Sequence, residues 1–225
     1  MHATLAALLP LSARAQSGRP LRLIVPFTPG GSTDILARAL APRLAAALGV
    51  TVVVDNRAGA GGSLGAGDAA KAAPDGHTLL MGHIGTLAVN PALYPKLAYD
   101  PLKSFVPVAW VARVPNVLVV PAASPSRSFR DFIARAQANP GRLSYSSGGN
   151  GSAAHITVEL LKLTARLFML HIPYKGTAPS VTDLIAGQVD ATFTGAPAVL
   201  PHVRSGRLRA LAVSSAQRIA TLPDV

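Results

Sequence analysis

The sequence predicts a mixed α/β protein of two lobes with mostly parallel sheets. Three observations carry this. Short β-rich runs recur at 21–27, 51–55, 77–81, 105–111, 116–120, 143–146, 168–173, 189–194 and 208–213. Most are continuously apolar, as strands buried on both faces are. Helical patterns lie between many of them, and strands alternating with helices select the α/β class.

The elements follow in order. Run 21–27 leads through Pro29-Gly30-Gly31 into a helix in which Leu36, Leu40, Leu44 and Leu48 recur every four residues. Gly49 is its C-cap signal, and Pro42 predicts a kink. Run 51–55 leads into Gly59-Ala60-Gly61-Gly62 and a second helix, and 77–81 gives the third strand. A Pro-rich, helix-poor stretch over 90–125 then holds two consecutive strands, 105–111 and 116–120. Beyond it, helix 129–138 stops at Asn139-Pro140-Gly141. Strand 143–146, the loop Gly148-Gly149-Asn150-Gly151 and helix 152–165 come next, then strand 168–173, helix 179–186 and strands 189–194 and 208–213.

Back-to-back strands between two βα blocks suit a chain that crosses between lobes. The first lobe is expected over 19–115 and the second over 116–209, with 210–225 returning to the first. The chain stops just after a strand, which predicts a further C-terminal segment. Residues 1–18 read as a signal-peptide remnant: an apolar run over 5–11 precedes Ala13-Arg14-Ala15, an A-x-A cleavage pattern near Ala15. Export is the expectation, and no later run approaches the ~18 apolar residues of a membrane span.

Composition narrows the chemistry. With 49% hydrophobic and 14% charged residues among 225, the chain can bury a sizeable core. Cysteine is absent, which excludes disulfides, thiolate metal sites and a Cys nucleophile. Glu159 is the sole glutamate, so paired-glutamate chemistry is excluded too. The net charge of +11 suits anionic partners in general. The 16 Arg and 5 Lys are scattered, and only 5% of residues are aromatic, so no nucleic-acid platform is expected.

Three segments share one design of strand, glycine loop and helix: 26–34, 56–63 and 146–152. Glycine lets a ligand approach the backbone closely. The following helix N-terminus offers unpaired N–H groups and a partial positive charge, which together make an anion site without a charged side chain. One such loop alone could merely turn the chain, with Ser32, Thr33 or Ser152 as caps. Two of them, one per lobe and both at C-terminal strand ends, point to a ligand.

Other motifs carry less. Gly61-Gly62-Ser63-Leu64-Gly65 spells G-x-S-x-G, but a nucleophile elbow needs Ser at a tight turn directly after a strand, and Ser63 sits in a loose Gly/Ala run. The same glycines miss a dinucleotide fingerprint at Leu64. The six histidines show no metal-ligand spacing, so neither a metal nor a cofactor is expected. His155 lies in the first turn behind the third glycine loop and could donate to a bound anion, or simply pack.

Taken together, several segments resemble a known family. They are Pro26-Phe27-Thr28-Pro29-Gly30-Gly31-Ser32-Thr33-Asp34, Val53-Val54-Asp55-Asn56-Arg57-Ala58-Gly59, Ala73-Pro74-Asp75-Gly76, Asn90-Pro91-Ala92-Leu93-Tyr94, Gly149-Asn150-Gly151-Ser152 and His171-Ile172-Pro173-Tyr174-Lys175-Gly176. This ordered set, spread over 19–225, resembles the Bug proteins, the periplasmic substrate-binding receptors of tripartite tricarboxylate transporters.

The resemblance implies a Venus-flytrap fold of the type II periplasmic binding protein kind, closing on a small carboxylate: a di- or tricarboxylate or related organic acid. It implies a periplasmic, monomeric, non-enzymatic receptor whose partners are that acid and the membrane components of the transporter. Carried over by position, the ligand loops map to Phe27, Gly31, Ser32, Thr33 and Asp34, and to Ser147, Gly148, Gly149, Gly151, Ser152 and His155. The turn with His83, Gly85 and Thr86 should also face the cleft. Thr194 stands where family members often carry an acidic or amide residue, and is a candidate for ligand choice. Two alternatives are an α/β hydrolase using Ser63, and a ligand sensor for a membrane signalling partner.

Overall fold

The computed structural model describes residues 18–225, so the leader reading and the cleavage near Ala15 lie outside the described residues. The first apolar run becomes β1 (Leu21–Val25), the central strand of a three-stranded parallel sheet. β2 (Val52–Asn56) and β3 (Thr78–Leu80) flank it, with Leu23 opposite both Val54 and Leu79. Leu21, Leu23 and Val25 share one face and pack with Ala37 of α1 (Ser32–Leu48) and with Met81.

The helix buries Ala37 and Ala41, while Leu36 and Leu40 are only partly covered and Leu48 is exposed. A strict four-residue spacing advances about 40° beyond a full turn at each repeat, so the leucine row winds off the buried face. Gly49 ends α1 as expected, in the left-handed region at φ 67°, its N–H donating to Ala45 O. Pro42 sits inside α1 on its exposed side. A short helix, α2 (Ser63–Ala70), follows β2, and α3 (Asn90–Leu93) follows a π-helical turn at Gly85–Val89.

The second sheet has five strands in the order β6-β5-β7-β4-β8. β5 (Ser144–Ser147), β6 (Leu170–Pro173) and β7 (Ala191–Gly195) run parallel, while β4 (Asn116–Pro121) is antiparallel to both β7 and β8 (Leu208–Val213). Alternation along β4 serves both faces. Leu118 and Val120 join a core of Phe132, Tyr145, Val158 and Phe193, whereas Val117 and Val119 join Val181, Leu184 and Val199. The covering helices are α4 (Phe129–Ala138), α5 (Ala153–Ala165), α6 (Thr177–Ile185) and α7 (Ala196–Arg204). Ser128 caps α4 in a reciprocal box with Asp131.

Three expectations need correction. Residues 105–111 form no strand: Val106 and Trp110 are 88% and 76% exposed, and the segment has no ladder partner among the described residues. Its apolar composition met the propensity for a strand without the neighbour that makes one. Residues 210–225 do not rejoin the first sheet. β8 pairs with β4, and Leu222 packs with Val117 and Val199, so burial keeps this segment on the five-stranded half. Finally, α7 stands between the expected strands 189–194 and 208–213, where no helix was expected. Pro197 sits in the first turn, where its missing N–H costs nothing.

Candidate functional site

The glycine loops meet where the two halves touch. A cleft of about 200 Å³ lies between them, walled by Phe27 and Gly59–Gly62 from one half and by Gly148, Gly149 and Asn150 from the other. Tyr94, Pro173, Tyr174 and Lys175 complete its lining. The seam is made of glycine because main chain there meets main chain or, at Gly176, the Thr28 side chain. A Cβ on Gly61 would collide with Asn150 O, one on Gly85 with Gly151 O, and one on Gly176 with Thr28 Oγ1. A larger depression of about 630 Å³ on the outer α1–β2 surface is lined mostly by Ala, Val and Pro side chains. It touches none of the glycine loops, so the cleft is the better candidate.

The first loop, between β1 and α1, is organised around Asp34. Its carboxylate accepts from Gly30 N at 2.9 Å, from Arg38 Nε at 3.0 Å and from Asn56 Nδ2 at 2.9 Å. Asn56 Nδ2 also reaches Phe27 O at 3.0 Å, tying the loop to β2. Burial pushes the Asp34 pKa up, but the bonds from Arg38, Gly30 and Asn56 outweigh burial and hold it below its ordinary value. The acidic group thus fills the positive end of α1 and fixes the turn. Ser32 Oγ points elsewhere, donating across the seam to Gly195 O at 3.1 Å. Thr33 is half-buried, and Gly31 lies close to Thr177 of the other half.

The loop between β5 and α5 is built differently. Its helix has no acidic residue in the first turn. Ser152 caps α5 as expected, its Oγ accepting from His155 N at 3.3 Å. Ser147 Oγ accepts from Gly149 N at 3.1 Å and lies 2.7 Å from His171 Nε2. His155 Nδ1 accepts from Gly151 N at 3.2 Å, so this ring atom serves the loop rather than donating to a guest. The His155 and His171 rings stack at 4.4 Å, and Tyr145 stacks on the other side of His171 at 4.7 Å. Burial is the largest cause lowering both histidine pKa values, that of His171 to about 4.

The remaining expected residues separate into lining and support. Phe27 meets His83 edge-on at 4.9 Å. His83 Nδ1 accepts from Gly85 N at 3.0 Å, and burial pushes its pKa down to about 4. Thr86 is fully buried and donates to His83 O at 2.9 Å, so this pair shapes the turn behind the cleft. Thr194 is buried in β7, opposite Val117 of β4.

Sequence reasoning left out Gly59–Gly62, Tyr94, Asn150, Tyr174 and Lys175 as lining residues. Gly59–Gly62 carried the same strand–glycine–helix signal as the other two loops and could have been included. Tyr94 and Lys175 gave no local signal.

The serine chemistry is structural. Ser63 opens α2 after a 3₁₀ turn, and its Oγ accepts from Asn90 Nδ2 at 2.9 Å. Among the described residues, the serine hydroxyl close to a histidine ring is that of Ser147, and it is fully buried and engaged by its own loop.

Residues 36–225 match the model of the tripartite tricarboxylate transporter family receptor. The chain belongs to this family. It is 45% identical to Protein BugT of Bordetella pertussis over 224 residues, which is 99% of the chain and 69% of BugT. It is 42% identical to a Pseudomonas sp. strain P51 protein encoded between tcbD and tcbE, over 95% of the chain and 65% of that protein. The chain therefore spans about two-thirds of the length of these relatives.

Among solved structures, the periplasmic binding protein BugD superposes with a TM-score of 0.88 at 37% identity, over 92% of this chain and 69% of BugD. An R. palustris protein solved with adipate gives 0.87 at 40% identity, covering 90% of this chain and 68% of its own. MatC of Rhodopseudomonas palustris, with bound malate, gives 0.86 at 35%, over 92% and 70%. The fold of this family receptor is thus the periplasmic binding protein fold. No helix among its described residues is long and apolar enough to cross a membrane.

Proposed function

We propose that this receptor captures a small carboxylate, a di- or tricarboxylate or related organic acid, in the periplasm for the membrane components of a tripartite tricarboxylate-type transporter. In this reading the chain is exported with its leader cleaved near Ala15, acts as a monomer and transforms nothing chemically. The observation that carries it is the convergence of glycine loops from both halves on one cleft of about 200 Å³. That space equals the share of roughly seven waters in the liquid, the scale of a short diacid.

The guest's carboxylate sits at the N-terminus of α5, where no side-chain carboxylate competes. Gly148, Gly149, Gly151 and Ser152 supply that end. Gly31, Ser32 and Thr33 close from the other side, held in shape by Asp34, and Phe27, with the His83–Thr86 turn behind it, forms the apolar wall. Thr194 bears on ligand choice only through its place behind the seam. Hydrogen bonds to a charged group contribute about 1.5–3 kcal/mol each. Four to six of them, less the cost of association, reach the ~8 kcal/mol of micromolar binding. The malate and adipate found in two relatives' structures are of this class.

Calorimetric titration of the folded protein with mono-, di- and tricarboxylates tests the reading. Heat with at least one acid and micromolar affinity is expected. A folded protein that gives no heat with any of them removes it.

A further inference from the structure

Behind the β5–α5 loop lies a half-buried network that the proposed binding role does not itself require. His171 on β6 and His155 on α5 stack face to face at 4.4 Å. Each ring holds a different point of the loop. His171 Nε2 lies 2.7 Å from Ser147 Oγ, which in turn accepts from Gly149 N. His155 Nδ1 accepts directly from Gly151 N at 3.2 Å. An Nδ1 that accepts carries no proton, so the contact exists only for a neutral His155 ring.

The charged and titratable groups around the pair are few. Glu159, one turn along α5, accepts from Tyr145 Oη at 2.5 Å and from Lys162 Nζ at 2.7 Å. Lys162 lies 5.6 Å over the Tyr145 ring. Burial raises the Glu159 pKa, but Lys162 and Tyr145 outweigh it and keep the group below its ordinary value. Its carboxylate is bonded to Lys162 and Tyr145 rather than to either histidine, and it reaches both rings only through space. Burial, the neighbouring ring and the Lys162 cation oppose a proton on His171, and burial and Lys162 oppose one on His155; Glu159 favours both but does not outweigh burial.

We propose that His155 and His171 are positioning residues that clamp the 147–152 loop in its anion-accepting shape while both rings are neutral, and that proton uptake by the pair releases the loop and with it the ligand. The proposal rests on the carboxylate-binding reading for its ligand but not for its clamp. The low pKa values agree with it, because they keep both rings neutral at ordinary pH. Loss of the Nδ1 acceptor leaves a loop N–H without its partner, an effect of about 5- to 100-fold on binding by the usual cost of an unsatisfied donor.

The test compares non-titrating mimics with deletions. Asn at 155 can place an acceptor near the Nδ1 position, and Gln at 171 can reach the Nε2 position. Affinity for malate and adipate is measured by calorimetry between pH 8 and 4 for wild type, His155→Asn, His155→Ala and His171→Gln, so that protonation of the acids themselves is common to all four. In parallel, the amide resonances of Gly149 and Gly151 are followed by NMR in the ligand-free protein over the same range. Relative to His155→Asn, wild type is expected to lose affinity several-fold as pH falls toward 4, and to show both amides shifting together with ring protonation. His155→Asn should keep its affinity and flatten the profile, while His155→Ala should bind weakly at every pH.

Wild-type affinity that follows the His155→Asn profile down to pH 4, or rises above it, means ring protonation does not release the ligand, and overturns the proposal. So does a His155→Ala protein that binds like wild type. If neither acid binds at any pH, the ligand reading fails alone, and the amide shifts still decide the clamp: unmoved amides while the rings titrate would sink it.

Discussion

The 26–34 loop and the 146–152 loop start from the same sequence design and end in opposite electrostatic states. The first is filled from within: Asp34 sits at the start of α1, takes the Gly30 N–H and is held by Arg38 and Asn56. The second has no carboxylate in its helix's first turn and is braced by Ser147 and two neutral rings. Glycine count cannot distinguish these cases. A helix N-terminus is a vacancy for negative charge only when its own first turn does not occupy it. In the proposed reading one loop is therefore the rigid side and the other the receiving side, and several experiments can break that distinction.

The largest effect should come from Gly149→Ala. Gly149 sits at φ +115°, and a Cβ there would lie 2.9 Å from Tyr174 O. Strain of this kind costs about 1–3 kcal/mol. Carboxylate affinity should drop about 100-fold by calorimetry, while urea midpoints change modestly. An unchanged affinity would move the receiving site away from this loop.

Asp34→Ala comes next and should act mainly on stability. It strands the Gly30 N–H and removes the Arg38 and Asn56 bonds to the carboxylate, a loss of about 2 kcal/mol in urea unfolding. Affinity should fall too, because the loop loses its organiser. If Asp34→Ala binds as tightly as wild type, the carboxylate has no part in shaping the site.

The pH dependence of stability tests the neutral-ring half of the comparison. Burial lowers the pKa values of His83, His155, His171 and His202 from 6.5, two of them to about 4. Between those limits the unfolded chain takes up protons that the folded chain refuses, so stability is full above 6.5 and falls as pH drops toward 4. Asp34 and Glu159 have pKa values below their ordinary 3.8 and 4.5, so their contributions are lost only below that range. Thermal midpoints should decline from pH 7 to pH 4.5. His171→Gln should blunt the decline, and Asp34→Ala should leave its shape alone.

Ser32→Ala is expected to do least. It removes one neutral bond across the seam, to Gly195 O, worth about 1 kcal/mol. The expected readout is an affinity loss of about 5-fold, or less, with the urea midpoint nearly unchanged. A larger loss would mean that Ser32 touches the ligand itself.

Much of this was legible from the residues. Continuous apolar runs marked the strands, and Gly49, Asn139-Pro140-Gly141 and Ser152 marked helix ends at the right places. What local pattern cannot give is partnership. The run at 105–111 had the composition of a strand and no neighbour, and 210–225 went where Val117 and Val199 offered burial. The site divides the same way. Both glycine loops were readable because backbone approach demands glycine. Asp34 as internal counter-charge, and His171 as the brace for Ser147, depend on side chains brought together by folding. Lys175 and Tyr94 reach the cleft from distant loops and left no local trace.

The seam at Gly61, Gly85 and Gly176 has a consequence for how such a receptor can diversify. Where a backbone abuts a second backbone, or at Gly176 the Thr28 side chain, any added side chain acts as a wedge, so these positions are closed to mutation as a route to new ligands. Variation is left to the wall positions that carry side chains, chiefly Tyr94, Asn150 and Lys175. A library confined to those three codons would explore most of the chemistry the cleft can present, without touching the machinery that shuts it.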